Sequence, residues 1–224
     1  MSSEPLGPGP HTRVRRLPAK ASYDASVIYS ILDAAHYCHV AAVVDGHAMV
    51  LPTLHAREGR VLYLHGSQSN SVMRSVVESG YACVSVTLYD GLRLARSGFE
   101  SSIAYRSVVI VGATSVVDDE AEKRRILDLF VDAVLEGRSN EVRSATDQEL
   151  RLTSVVRVTI DEASAKISKG PTDDDEQDRE LPIWSGTVPA RLVFGAPEPS
   201  DDGAMAAGTV PIPPSVVRLL GNQT

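Results

Sequence analysis

The 224-residue chain is 43% hydrophobic, carries 29 acidic against 22 basic side chains, and has a formal net charge of −7. That length suits one domain with appendages, or two small ones, and buries a real core without disulfides or metal. The acidic balance argues against a nucleic-acid partner, which asks for a basic excess or stripe, and no apolar run approaches the ~20 residues that span a bilayer.

Residues 1–22 read as a polar, Pro-rich N-terminal arm, flexible in expectation, with a basic cluster at Arg13, Arg15, Arg16 and Lys20 that fits a solvated or dimer-docking role. The arm has no apolar leader segment. Both cysteines, Cys38 and Cys83, sit in apolar strand-like runs and read as reduced residues, so the expected location is cytoplasmic.

The main domain is expected over residues 23–194. Asp24 is a good N-cap for a helix to about His36, with Val27, Ile28, Ile31 and Leu32 on one face. Cys38 to Val44 is a strand, and Asp45-Gly46 is a two-residue hairpin signal because both residues tolerate positive φ. The return strand runs from His47 to His55, and a turn at Arg57-Glu58-Gly59-Arg60 leads into a strand from Val61 to Gly66. A helix from Asn70 to about Ser79 turns Val72, Met73, Val76 and Val77 inward.

Then come a strand from Ala82 to Leu88, a turn at Tyr89-Asp90-Gly91, a strand from Leu92 to Ser97, and the apolar run from Tyr105 to Val117. A helix from Glu120 to about Leu135 precedes a last strand, Ser154 to Ile160, and the segment Ala163 to Ile167. The acidic stretch Asp173 to Glu176 is expected as a solvated loop. Residues 195–224 form a Pro-, Gly- and Ala-rich tail, expected to be poorly ordered, with Val216 to Leu220 able to dock locally. The first three strand-like runs have no helix between them, which favours a mainly β, antiparallel barrel with peripheral helices over a doubly wound sheet.

The segment Leu62-Tyr63-Leu64-His65-Gly66-Ser67-Gln68-Ser69-Asn70-Ser71-Val72-Met73-Arg74 carries the most chemistry. A strand hands over to a helix whose first turn is all hydroxyl and amide side chains. Unpaired N–H groups and the positive dipole end suit a phosphate there. Ser67, Ser69 and Ser71 add hydroxyls, and Arg74 adds a guanidinium fork. An ordinary Ser-capped helix with a surface arginine has the same pattern, and the segment alone does not choose. His65 suits a donor to a phosphate, or a strand cap. His36-Tyr37-Cys38-His39 is not read as a metal site, since Cys38 and His39 point to opposite faces and no second ligand pair follows. No Gly-x-Ser-x-Gly elbow, Gly-x-Gly-x-x-Gly fingerprint or P-loop is present.

Together with Val50-Leu51-Pro52-Thr53, Thr87 to Ser97, Tyr105-Arg106-Ser107, Ala165-Lys166-Ile167 and Trp184-Ser185-Gly186, that segment resembles the pyridoxamine 5′-phosphate oxidase-like split-barrel family. The resemblance extends to its branch of flavin-nucleotide-binding proteins related to nitroimidazole-resistance proteins, and runs from about Arg13 to Pro189. It implies a six-stranded antiparallel split β-barrel and a homodimer with FMN at the subunit interface; FAD, deazaflavin and haem are the alternatives. Carried over by motif, Leu51, Pro52 and Thr53 line the flavin ring. Leu64, His65, Gly66, Ser67, Ser69, Met73 and Arg74 hold the phosphate, Arg96 and Ser97 lie in the matching strand, and Lys166 and Trp184 are candidates to reach the flavin of the partner subunit.

Asn70 stands where the family usually places a second basic residue, so vitamin B6 oxidation does not carry over. The implied activity is that of an oxidoreductase acting on a small-molecule substrate or electron acceptor, with a non-catalytic flavin- or haem-binding module as the alternative. No catalytic residue, nucleic acid or membrane contact is implied.

Overall fold

The computed structural model describes residues 5–206, 208 and 210–221; the rest of the arm and tail lies outside the described residues. After β1 (Ala21–Ser22) comes α1 (Ala25–Asp33), which starts where the Asp24 carboxylate accepts a hydrogen bond from the Ser26 amide at 2.7 Å. It stops short of the expected end at His36, and residues 34–37 form a connector. β2 (Cys38–Val44) and β3 (His47–Thr53) pair around Asp45-Gly46, with φ of 49° and 78°. β3 then breaks at Leu54. The chain turns a corner into β4 (His55–Glu58), which pairs with β5 (Val61–Ser67) across Gly59-Arg60.

Asn70 caps α2 (Ser71–Ser79) by accepting from the Met73 amide at 3.1 Å, and Gly80 at φ 72° ends it. β6 (Tyr81–Leu94) and β7 (Ser102–Val116) form the longest ladder. The expected turn at Tyr89-Asp90-Gly91 is instead a β-bulge within one continuous strand: the register shifts between Tyr89 and Gly91, and Gly91 takes φ 139°. α3 (Glu120–Val134), α4 (Asp147–Leu152), β8 (Thr153–Thr159), β9 (Glu162–Ser168), β10 (Gly186–Pro189), α5 (Gly203–Ala206) and α6 (Pro214–Gly221) complete the chain.

The strands make one antiparallel sheet in the order β3-β2-β6-β7-β8-β5-β4, with β9 and β1 added beside β7 and β10 beside β6. This is the expected mainly β split barrel. Among the described residues the sheet holds ten strands and stays open, where six were expected; the short β1, β4 and β10 supply part of the difference. Ends β3 and β4 meet covalently at Leu54. Alternate residues (Val40, Val84, Val86, Val108 and Ile110) fill the barrel beneath α1 and α2. A second cluster, Tyr63, Ile126, Phe130 and Val155, packs α3 on the outside of β5 and β8. No helix among the described residues is long and apolar enough to cross a membrane.

Three segments expected to be loose are tied down. In the arm, Leu6 is buried and exchanges backbone hydrogen bonds with Tyr23 and Ala163, while the Glu162 carboxylate accepts from the Thr12 hydroxyl at 3.0 Å and the His11 amide at 3.1 Å. The acidic stretch is not simply solvated: Asp173 meets buried Arg93 at 3.2 Å, and Asp174 meets Arg96 at 2.6 Å. These guanidinium hydrogen bonds hold the Asp173 carboxyl below its usual range, and the Arg96 amide is the largest influence doing so at Asp174. In the tail, Ser215 is buried with its amide 2.9 Å from Glu141, and Arg218 donates to the Glu136 carbonyl at 3.1 Å.

Gly91 is the glycine the fold requires. Its φ is positive, and a Cβ there would meet the Val188 carbonyl and Pro189 of β10. Gly91→Ala is expected to cost about 1–3 kcal/mol in urea denaturation and to speed amide exchange along β10.

Candidate functional site

Two concave regions flank the split in the barrel. The first is the corner where β3 becomes β4. Because His55 pairs with Leu64, the chain just before it, Pro52 and Thr53, comes to the end of β5 that carries Gly66 and Ser67. A cleft of about 220 Å³ opens beside it, lined by Ser67, Gln68, Arg74, Glu78 and Ser154.

The helix start is only partly satisfied. Asn70 takes up the Met73 amide, and Ser67 Oγ accepts from the Ser69 amide at 3.3 Å and pairs with the Ser69 hydroxyl at 2.9 Å. The Arg74 guanidinium is exposed, and among the described residues no side chain or carbonyl pairs with it. A cation, two hydroxyls and a helix N-terminus beside one cleft suit an anion.

The other expected contributors divide. Pro52 is exposed, while Leu51 and Thr53 are half-buried. Leu64 and Met73 are core side chains; Met73 also lines the cleft and lies under Gly66, where a Cβ would stand 3.2 Å from its Cγ. His65 points away from the barrel interior, its ring 4.3 Å from Phe130. Burial lowers its pKa, and its Nδ1 is buried without a hydrogen-bond partner among the described residues. Lys166 belongs to β9, paired with Ser107 and Ala21.

Arg96 and Ser97 follow the end of β6. Arg96 donates to Asp174 and to the Ser185 hydroxyl at 2.8 Å, and Trp184, 65% exposed, stands beside them. Pro52 pairs with His39, and His39 with Ser85. From Ser85 to Arg96 is eleven residues, roughly 36 Å along an extended strand. One protomer therefore does not bring Arg96, Ser97 and Trp184 to the Pro52 corner.

The second region, unanticipated from the sequence, is a cleft of about 930 Å³ at the barrel mouth. Its floor is the stretch of the β6–β7 ladder beyond the core, with Leu88, Asp90 and Arg106. The connector after α1 (Ala34 to Tyr37) makes one wall, and the chain from Ala190 to Phe194, with Leu219 of α6, makes the other. Arg106 clamps Asp90 through Nε at 2.9 Å and Nη2 at 2.7 Å, and these bonds hold the Asp90 carboxyl below its usual range. Asp90 and Arg106 fall within the motifs Tyr-Asp-Gly and Tyr-Arg-Ser, but neither spacing in sequence announces their pairing.

The connector is set by β4. Buried His55 donates from Nε2 to the Leu32 carbonyl at 2.9 Å, and Arg57 holds Asp33 through Nε at 2.7 Å while stacking on Tyr29 at 4.2 Å. These contacts fix the end of α1 and hence where His36 stands.

Asp90→Asn is expected to cost about 0.5–1 kcal/mol near neutrality, a figure reduced for the partial exposure of the pair. Because the folded-state pKa of Asp90 is lowered, that contribution is complete above the ordinary carboxylate value near 4 and is lost as pH falls through the lowered one. Urea midpoints of wild type and Asp90→Asn should therefore differ at pH 7 and converge in acid.

The comparisons with known proteins follow this geometry. Residues 24–167 match the family model described as pyridoxamine 5′-phosphate oxidase. Among solved structures, the chain is similar to the flavocytochrome Anf3 from Azotobacter vinelandii, with 34% identity, a TM-score of 0.88, and coverage of 96% of this chain and 98% of that one. It is also similar to the FAD and haem binding protein from Mycobacterium smegmatis, with 38% identity, a TM-score of 0.83, and coverage of 89% and 97%. A candidate 5-nitroimidazole antibiotic resistance protein from Bacteroides thetaiotaomicron shares the fold at 24% identity and a TM-score of 0.56, over 66% of this chain and 86% of that one. A search of curated proteins finds no match.

Proposed function

As the chain belongs to the pyridoxamine 5′-phosphate oxidase family, we propose that it is a flavin-dependent oxidoreductase acting as a homodimer, and that it carries haem beside the flavin. The observation that carries the flavin reading is the unpaired Arg74 guanidinium beside the Ser67 and Ser69 hydroxyls at the start of α2. In this reading Arg74 and the two serines hold the phosphate, and Pro52 and Thr53 orient the ring. When bound, a flavin supplies one- and two-electron transfer with a small-molecule substrate or electron acceptor. The family resemblance alone implies FMN. The name of the M. smegmatis relative favours FAD, and both more similar relatives are named for haem as well. Two free cysteines, one of them buried, suit a reducing compartment such as the cytoplasm.

Two features support the homodimer. Arg96 and Ser97 lie beyond the far end of β6, with Trp184 beside them, and in this reading they serve the partner's flavin and not that of their own protomer. The outer face of β3, β2, β6 and β7 also presents a run of small and apolar side chains, among them Val43, Val50, Cys83 and Val109; Val50, Ala41, Cys83 and Val111 share one rung across the four strands. A face of that kind on a soluble chain suits contact with a second copy.

Arg74→Ala is expected to lower flavin retention after dialysis roughly tenfold, the worth of one charged hydrogen bond; unchanged occupancy removes the phosphate assignment. Cys83→Arg places a charge in the outer face and is expected to give a monomer by light scattering, with loss of flavin. A dimer that persists in that variant places the interface elsewhere. The mass of the acid-released cofactor separates FAD from FMN and deazaflavin, and turnover with a reduced nicotinamide separates the oxidoreductase from a non-catalytic carrier.

A further inference from the structure

The cleft at the barrel mouth holds a histidine that the phosphate corner does not use. His36 is exposed on the connector after α1, and neither ring nitrogen has a hydrogen-bond partner among the described residues. Its ring meets Phe194 edge-on, with centroids 5.8 Å apart and planes at 85°. A lone imidazole is a poor site for a bare ion, which asks for about four protein ligands. It suffices for iron already held by the four nitrogens of a porphyrin, where the protein supplies only the axial group.

The rest of the cleft suits the same group. Leu88, Leu192, Val193, Phe194 and Leu219 give apolar walls for the faces of a macrocycle. Cationic partners for two carboxylate side arms are also present. Asp90 occupies Nε and Nη2 of Arg106, leaving Nη1 without a partner among the described residues, and Arg191 also lines the cleft. The cleft, about 930 Å³, lies within the range of roughly 300–1,000 Å³ usual for cofactor pockets. Its place matters as well: His36 precedes by two residues Cys38, which pairs with Thr53 at the flavin corner.

We propose that His36 is the axial ligand of a haem iron in this cleft, and that the chain from Ala190 to Phe194 is the wall that closes over the porphyrin. The proposal rests on the flavin-and-haem reading above and goes beyond it by assigning the cleft, the ligand and the closing segment.

The test is a titration of the full-length, flavin-loaded protein with hemin, followed by the Soret band and by electron paramagnetic resonance. Wild type is expected to saturate at one hemin per chain. His36→Ala is expected to bind hemin at least about tenfold more weakly and to lose the histidine-ligated signal while keeping its flavin. Added imidazole should restore the band position in that variant. Phe194→Ala, which leaves the ligand in place, should weaken binding without changing the ligand signature.

Wild-type affinity and an unchanged spectrum in His36→Ala overturn the ligand assignment and leave the flavin-and-haem reading standing. Loss of flavin together with hemin in His36→Ala overturns it by assigning the cleft to the flavin. A wild type that takes up no hemin defeats both the assignment and the haem part of the reading on which it rests.

Discussion

The register between β6 and β7 is the constraint on which the rest of the molecule depends. It pairs Val84 with Ile110 and Val86 with Val108, so those side chains fill the barrel while their neighbours Cys83, Ser85 and Val109 face outward. The period of a strand is two, and a slip of one residue would exchange the faces entirely. The outer face carries the apolar run that includes Val43, Val50 and Val109, and the inner face, continued past the core, becomes the floor of the cleft at the barrel mouth. Burial enforces the register: Val84, Val108 and Ile110 are fully enclosed, and turning such side chains to water would forfeit on the order of 1.5–3 kcal/mol each.

Around that ladder, β4 does a second job that its four residues would not suggest. Its Ala56 packs under α3, and its His55 and Arg57 reach the other way, to the end of α1. Burial lowers the pKa of His55, so the ring stays neutral with its proton on Nε2, where the Leu32 carbonyl accepts it. The last turn of α1 thus gains a second donor to the Leu32 carbonyl, which also accepts from the Ala35 amide at 3.2 Å. The Arg57–Asp33 fork adds direction. A short edge strand therefore joins the corner beside Ser67 to the wall of the cleft in a few residues.

The local features were the legible ones. Asp24 as a cap, Asp45-Gly46 as a hairpin, the apolar stripe of α2 and the mainly β class all follow from propensity and periodicity, and the structure agrees. What escaped is non-local or ambiguous in kind. Residues that make a bulge are the same small and turn-forming types that make a hairpin, so Tyr89-Asp90-Gly91 could be read either way from sequence. The acidic stretch looks solvated until Arg93 and Arg96, some eighty positions earlier, are seen to meet it. The cleft at the barrel mouth is assembled from five separate stretches of chain, one of them in a tail whose composition suggested looseness. Of the candidate site, the Ser67–Arg74 turn and the inward stripe that holds Met73 could be found from their own residues, whereas the full enclosure of Leu64 needed the burial pattern.

The bulge at Gly91 has a reach well beyond its two residues. By interposing Asp90, it inverts the phase of everything that follows on β6. Before it, even-numbered residues such as Val84 and Val86 point inward; after it, Arg93 and Ala95 are the buried ones and Leu92 faces out. An uninterrupted strand would have turned the Arg93 guanidinium toward the outer face, away from Ser168 and Asp173, which it now binds. The appendage that carries Trp184 is thus in register with the barrel by virtue of one inserted residue. Gaining or losing a residue there amounts to a change of wiring, exchanging which side chains serve the interior and which the outer surface along the remainder of the strand.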